Sequence, residues 1–328
     1  MNKKFIIIAI VVVLALILAI CALPIFSQLY YHRSQAATML AWQLEKETYT
    51  TEESFQALLM DKRAANGPPY LIPMDISLSV SVDSGIYDGM QYYILNSSSS
   101  AARAIFYFPG GSFTDQPRGV HWQFLNQLAS DTGAMIIVPI YPKLPDTNAA
   151  ASYAAVLSFF QNCAAEMTWS ELIFMGDSAG GGMALSLAMQ LRDSGAAGPN
   201  KLILLSPWVD VTMANPDIPA YEAKDPALDS QLLRRLGELW ADEMDATDPI
   251  ISPLYGDFQD LGEITILTSK GELLYPDITA LMQKLNEADI DCNALVSPGM
   301  FHVWPIYVLY SVPEVQESYE FIAATVMG

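Results

Sequence analysis

Residues 171–182 read Glu-Leu-Ile-Phe-Met-Gly-Asp-Ser-Ala-Gly-Gly-Gly, and no other stretch restricts the fold of this chain as much. Leu172 to Met175 is an apolar run of strand length that stops at Gly176. Ser178 falls at the turn, and Ala179 to Arg192 then carries apolar Met183, Leu185, Leu187 and Leu191, which predicts a helix. Gly-x-Ser-x-Gly between a strand and a helix is a sharp turn that lifts a serine hydroxyl above a sheet edge. Gly176 and Gly180 are needed there, because a side chain at either position would collide with neighbouring backbone.

A serine hydroxyl needs a base to take its proton, and the base needs a carboxylate to hold its tautomer. The histidines are His32, His121 and His302. His32 follows an apolar membrane-type segment and His121 precedes the serine. His302 lies in Ser297-Pro-Gly-Met-Phe-His-Val-Trp-Pro, between an expected last strand and a C-terminal helix. The chain order serine, acid, histidine selects His302. The acid should follow the penultimate strand, Glu263 to Ser269. Glu272 stands just beyond that strand and is the first choice. Asp277, after Pro276, is the alternative and fits better at the start of a helix over Ile278–Glu287.

The strand beginning Arg103-Ala-Ile-Phe-Tyr-Phe runs into Pro109-Gly-Gly-Ser-Phe. Bare N–H groups at Gly110 and Gly111, with that of Ala179, are candidates to bind the oxygen that gains charge when the serine attacks a carbonyl.

With these residues in place, the chain resembles the hormone-sensitive-lipase-like branch of the α/β-hydrolases (α/β-hydrolase fold-3), from about residue 75 to the C-terminus. The resemblance rests on Gly176-Asp-Ser-Ala-Gly-Gly, Ser206-Pro-Trp-Val-Asp, Lys224-Asp-Pro, Ser252-Pro-Leu-Tyr, Phe301-His-Val-Trp and Tyr141-Pro-Lys-Leu-Pro. It implies an esterase or lipase acting through Ser178, Glu272 and His302, with a short-chain preference and a helical cap over the serine. One departure stands out. The family usually opens its oxyanion loop with His-Gly-Gly-Gly, and here a proline and a serine replace the first and last of these residues.

The expected fold class is α/β: a mostly parallel eight-stranded sheet with helices on both faces, an antiparallel start and a helical cap. Strands are expected near 75–82, 90–95, 103–108, 134–140, 171–175, 201–205, 264–269 and 293–297. The chain divides into an anchor over 1–24, a helical spacer or cap segment over 25–70 and a catalytic domain over 71–328. A cap insertion occupies about 215–257 and contains a helix, Ser230–Glu243. Ser34 to Arg63 is helical and amphipathic in pattern, and Asn66-Gly-Pro-Pro ends it. Ser97–Ser100 reads as a hairpin loop. Phe113, Trp208, Tyr255 and Trp304 are candidate walls of the substrate pocket.

Phe5 to Leu23 is an uninterrupted apolar run of 19 residues behind Lys3 and Lys4. It is long enough to span a bilayer, and the lysines favour a cytoplasmic N-terminus with the catalytic domain outside. A cleaved signal, and a lipoprotein with Leu18-Ala-Ile-Cys21 as its cleavage box, are the alternatives. With 36 acidic against 16 basic residues the net charge is −20, which argues against nucleic acid as a partner. Nothing has the spacing of a metal or phosphate site, so no cofactor is expected. Pairing of Cys163 with Cys292 stays open, as does the oligomeric state. The function expected is a serine carboxylic-ester hydrolase acting on small-molecule esters. A peptidase or amidase with the same triad, and a catalytically impaired surface binding protein of the same fold, are the alternatives.

Overall fold

In the computed structural model, residues 3–97 and 102–328 are described. Eight strands form one sheet: β1 Val82–Tyr87, β2 Met90–Leu95, β3 Arg103–Phe108, β4 Met135–Ile140, β5 Glu171–Asp177, β6 Lys201–Leu205, β7 Glu263–Ser269 and β8 Cys292–Ser297. Their spatial order is β1-β2-β4-β3-β5-β6-β7-β8. β2 pairs antiparallel with both β1 and β4, and every pairing from β4 through β3 to β8 is parallel. β5 therefore lies inside the sheet, buried on both faces, which is why Leu172–Met175 reads as a continuous apolar run rather than an alternating one.

The helices are α1 Lys3–Phe26, α2 Gln35–Ala41, α3 Glu52–Asn66, α4 Gly119–Thr132, α5 Ala149–Glu166, α6 Ala179–Asp193, α7 Ser230–Ala241, α8 Tyr275–Glu287 and α9 Pro313–Met327. Two apolar clusters cover the two faces of the sheet. One gathers α5, α6, α7 and α8 around Phe106, Phe174 and Leu204. The other gathers α2, α4 and α9 around Ile105, Tyr107 and Ile173. Alternate residues of β3 point into opposite clusters, as the pleat demands.

Several sequence expectations shift. No strand forms over 75–81, and β1 begins only at Val82. The alternating Leu78 and Val80 do pack partly against the second cluster, but the backbone N–H groups of Ser79 and Val80 donate to the Asn126 side chain on α4 instead of to a strand. The helical pattern over Ser34–Arg63 is broken into α2 and α3 by the extended residues 44–49. The α3 helix ends at Asn66, as its Gly-Pro-Pro sequel predicts. Among the described residues no helix is long and apolar enough to cross a membrane. The backbone of α1 is helical, but the side chains of residues 6, 7, 9 and 14–21 lie outside the description. The anchor expected over 1–24 falls largely on them and gains no support here. The loop expected at Ser97–Ser100 likewise lies mostly outside the described residues. Cys163 and Cys292 are both free thiols.

The sequence-defining turn is built on close backbone approach. A Cβ at Gly176 would strike the carbonyl of Gly180, and one at Gly180 would strike the Phe108 carbonyl at the end of β3. Gly180 thus lets α6 lean directly on the sheet. Gly180→Ala is expected to lower stability by about 2 kcal/mol or more, since the obstacle is backbone rather than a movable side chain. Urea unfolding of the variant beside the parent measures it; a loss below about 0.5 kcal/mol would contradict the packing described.

Candidate active site

Ser178 sits at the tip of the turn with φ 52° and ψ −124°, a strained conformation for a residue carrying a Cβ. Three backbone bonds hold it. Its N–H donates to Leu205 at the end of β6, and its carbonyl accepts from Trp208 and Gly182. The Trp208 contact explains part of the Ser206-Pro-Trp motif. Ser206 explains another part: its N–H donates to Leu267, and its Oγ accepts from Val303 N–H at 3.2 Å, next to His302.

His302 and Glu272 come together. The Nδ1 of His302 lies 2.7 Å from Glu272 Oε2. The other oxygen, Oε1, accepts from Thr268 Oγ1 and from Ser269 N–H at 2.7 and 2.8 Å. A fully buried carboxylate held this way accepts from Nδ1 of His302. Neither His302 Nε2 nor Ser178 Oγ has a hydrogen-bond partner among the described residues. Ser178 and His302 line one cleft of about 430 Å³.

Asp277, the alternative acid, faces elsewhere. It lies in the first turn of α8, where its Oδ1 accepts from Asn215 and its Oδ2 is buried without a partner. Burial, with Asp210 nearby, pushes its carboxyl up to about 7.

Beside the serine, Asp177 is the hub of the glycine loop. Its Oδ1 accepts from Tyr107 Oη at 2.6 Å and from Gly110 N–H at 2.9 Å, and its Oδ2 lies 3.3 Å from His121 Nε2. Nδ1 of His121 accepts from Arg118 N–H, which leaves Nε2 as the protonated nitrogen. Burial opposes charge on Asp177, yet His121, Tyr107 and Gly110 hold its carboxyl below the usual carboxylate range. The Pro109 carbonyl accepts from Tyr141 Oη at 2.5 Å, so the loop is braced by Tyr141 and Asp177 where related loops use a histidine.

This network corrects one expectation. The Gly110 N–H is already committed to Asp177 and is not available to an incoming oxygen. Gly111 and Ser112, at φ 127° and 53°, follow it on the cleft wall, and their N–H groups have no partner among the described residues. Together with Ala179 at the start of α6 they are the free donors beside Ser178. The serine in the fourth position of Pro109-Gly-Gly-Ser is thus accommodated at a positive φ that a glycine would adopt more readily.

The expected pocket walls are also corrected: none of the four lines this cleft. Phe113 is buried and stacks on Trp240 of α7 at 4.0 Å and on Trp208 at 5.6 Å. Trp304 is buried and donates to the Glu314 carbonyl. Tyr255 is half-exposed and donates to Asp210. The cleft is instead walled by Leu44, Leu228, Leu232 and Leu233, with Glu45, Glu47, Asp115 and Arg118 among its polar residues. Asp225, in Lys224-Asp-Pro, was not singled out from the sequence. It is buried, accepts from Leu273 N–H beside Glu272, and accepts from Ala227 and Leu228 N–H in the cap. Burial pushes its carboxyl up.

Comparison with known proteins agrees with this fold. The sequence profile of the alpha/beta hydrolase fold matches residues 105–306. The chain is 29% identical over 212 residues to an acetyl-hydrolase of Streptomyces hygroscopicus, covering 62% of this chain and 69% of that protein. A solved structure from Staphylococcus aureus superposes with TM-score 0.81 at 25% identity, covering 86% of this chain and 95% of that one. An esterase from the bacterial hormone-sensitive lipase family superposes with TM-score 0.74 over 89% of this chain and 96% of that one; at 20% identity it speaks for the fold.

The buried Asp277 generates a pH prediction. Its folded-state pKa lies above the unfolded value, so the unfolded chain releases the proton first as pH rises. Stability then falls between about pH 4 and pH 7 and levels off above. Asp277→Asn, neutral throughout, should melt several degrees above the parent at pH 8 and match it near pH 4. Thermal unfolding at the two pH values tests this; an equal shift at both would rule out the ionisation account.

Proposed function

The chain belongs to the alpha/beta hydrolase fold family, and from that footing we propose that it is a serine carboxylic-ester hydrolase acting through an acyl-enzyme. The observation that carries the reading is the His302–Glu272 contact at 2.7 Å, made through Nδ1, with Nε2 of His302 left without a partner among the described residues in a residue that lines the same cleft as Ser178. Ser178 Oγ attacks the acyl carbonyl while Nε2 takes its proton, and the tetrahedral oxyanion is held by the N–H groups of Ala179, Gly111 and Ser112. The imidazolium, stabilised by Glu272, then protonates the leaving alcohol. Water, deprotonated by the same nitrogen, releases the acid and restores the serine. Apo sites commonly lack the serine–histidine hydrogen bond and gain it on binding substrate.

Short- to medium-chain esters suit the cleft. Phe113, Trp208 and Trp240 are stacked into the core beside the oxyanion loop, and the open space is edged by charged groups rather than by a long apolar tunnel. The similarity to an acetyl-hydrolase points the same way. The impaired-binding-protein alternative drew on the altered Pro109-Gly-Gly-Ser loop, and the bracing of that loop by Tyr141 and Asp177 favours the catalytic reading over it.

The apolar run Phe5–Leu23 behind Lys3 and Lys4 supports a retained single-span anchor with the catalytic domain outside the cytoplasm. Protease added to intact cells should then digest the catalytic domain; protection until lysis would refute the orientation.

Ser178→Ala should abolish turnover of p-nitrophenyl acetate and labelling by a fluorophosphonate while leaving the unfolding midpoint in place. Glu272→Gln should slow turnover by about a thousandfold, and Asp277→Asn should leave it within about twofold. Acetate and butyrate esters should be turned over faster than octanoate. Activity surviving in the Ser178 variant would overturn the reading.

A further inference from the structure

Gly299, three residues before His302, is crossed by the backbone of the N-terminal segment. A Cβ there would collide with the Tyr31 carbonyl, so glycine at this position is explained by the chain lying over it. Arg33, two residues further on, is buried. Its Nη1 donates to the Gly299 carbonyl at 3.2 Å and its Nε to Thr38 Oγ1 at 3.3 Å, while its guanidinium lies 4.6 Å from the centre of the Tyr31 ring. Burying a guanidinium with so few partners is costly, and the carbonyl it reaches belongs to the histidine loop.

The same segment is fastened along its length. Ser34 donates through N–H and Oγ to the two oxygens of Glu314 at the start of α9, and its Oγ caps α2 by accepting from Ala37. Ala37, Leu40 and Ala41 of α2 are buried in the second core cluster. Beyond α2, Gln43, Leu44, Glu45 and Glu47 become one wall of the cleft. Lys46 between them donates to the carbonyl and carboxylate of Glu222 in the cap, both at 2.9 Å. From α3, Lys62 bridges Glu47 and Asp115 at 2.8 and 2.7 Å, and Asp115 N–H donates to the Gly111 carbonyl of the oxyanion loop.

We infer that residues 27–47 are a working part of the active site, with Arg33 the positioning residue that holds the His302 loop in register. The inference rests on the serine-hydrolase reading above and adds to it a dependence on chain that lies outside the sheet. Besides the His302–Glu272 contact, three hydrogen bonds tether residues 299–303 to the rest of the protein among the described residues: Arg33 on the Gly299 carbonyl, Ser269 Oγ on the Met300 carbonyl at 2.6 Å, and Ser206 Oγ on Val303 N–H. The last two come from strand ends. Only the first comes from the segment that follows α1. A shift of about 1 Å in the imidazole costs on the order of a hundredfold in rate, because base and nucleophile must be aligned within hydrogen-bond reach. Arg33 touches neither substrate nor Ser178, so its effect belongs to kcat rather than KM. The cleft wall at Gln43–Glu47 belongs to the same segment, so chain position after α1 sets both the base and the shape of the space before it.

The test uses the full-length chain purified in detergent, as wild type, Arg33→Met, Arg33→Lys and Gly299→Ala. Hydrogen exchange is read over residues 297–303, and steady-state turnover is read on p-nitrophenyl acetate. Arg33→Met should speed exchange in that loop and lower kcat about 10- to 100-fold with KM within about threefold. Arg33→Lys, which keeps one donor, should recover part of both. Gly299→Ala should reproduce the loss by displacing the segment. Unchanged loop exchange in Arg33→Met overturns the inference, as does faster exchange with kcat intact. A loss of activity matched by the loss of folded protein, read from the unfolding midpoint and active-site titration, also overturns it. A wild-type chain without Ser178-dependent turnover would sink the esterase reading itself. The exchange comparison needs no turnover, so it distinguishes that failure from a failure of Arg33 to hold the loop.

Discussion

A buried negative charge beside Ser178 organises this molecule. Asp177 ends β5, and its two oxygens gather Tyr107 from β3, Gly110 from the glycine loop and His121 from α4. A carboxylate removed from water is tolerated only when its oxygens are hydrogen-bonded, and these three partners meet that demand. The consequence reaches past electrostatics. Because Gly110 N–H is drawn onto Asp177, the glycine loop takes one course over the serine, and the next two N–H groups are left facing the cleft. Strain at Ser178, the bonds from Leu205 and Trp208, and the Asp177 hub together leave the turn no alternative geometry.

Much of this was legible before any coordinates. The strand–turn–helix around Ser178 and a parallel sheet with an antiparallel start follow from apolar runs and their punctuation, whereas the chain order that selected His302 came with the fold this turn implies. Glu272 was separable from Asp277 on position alone, since only a residue just past the end of β7 reaches the loop after β8. The partners of Asp177 were not legible. A carboxylate inside the serine motif gives no sign of which hydroxyl or imidazole it will meet, because Tyr107 and His121 are 70 and 56 residues away in sequence. The assignment of Gly110 as a free donor failed for the same reason.

The aromatic residues failed differently. Phe113, Trp208 and Trp304 were expected to wall a pocket, and each is instead packed inside the protein. A large ring near a sheet end satisfies both roles equally in sequence, and only the packing of neighbouring elements decides between them. The strand expected over 75–82 failed because alternation reports which side chains are covered and is silent on where the backbone bonds go; Asn126 took the donors that a neighbouring strand would have used.

The stack of Phe113 on Trp240 carries a mechanical meaning. Phe113 is the residue after Ser112 in the glycine loop, and Trp240 lies on α7. The two rings are nearly parallel, 4° apart, and buried. A cap hinged to swing away from the sheet would have to peel that pair apart or drag the glycine loop with it. The stack thus ties α7 to the course of the glycine loop.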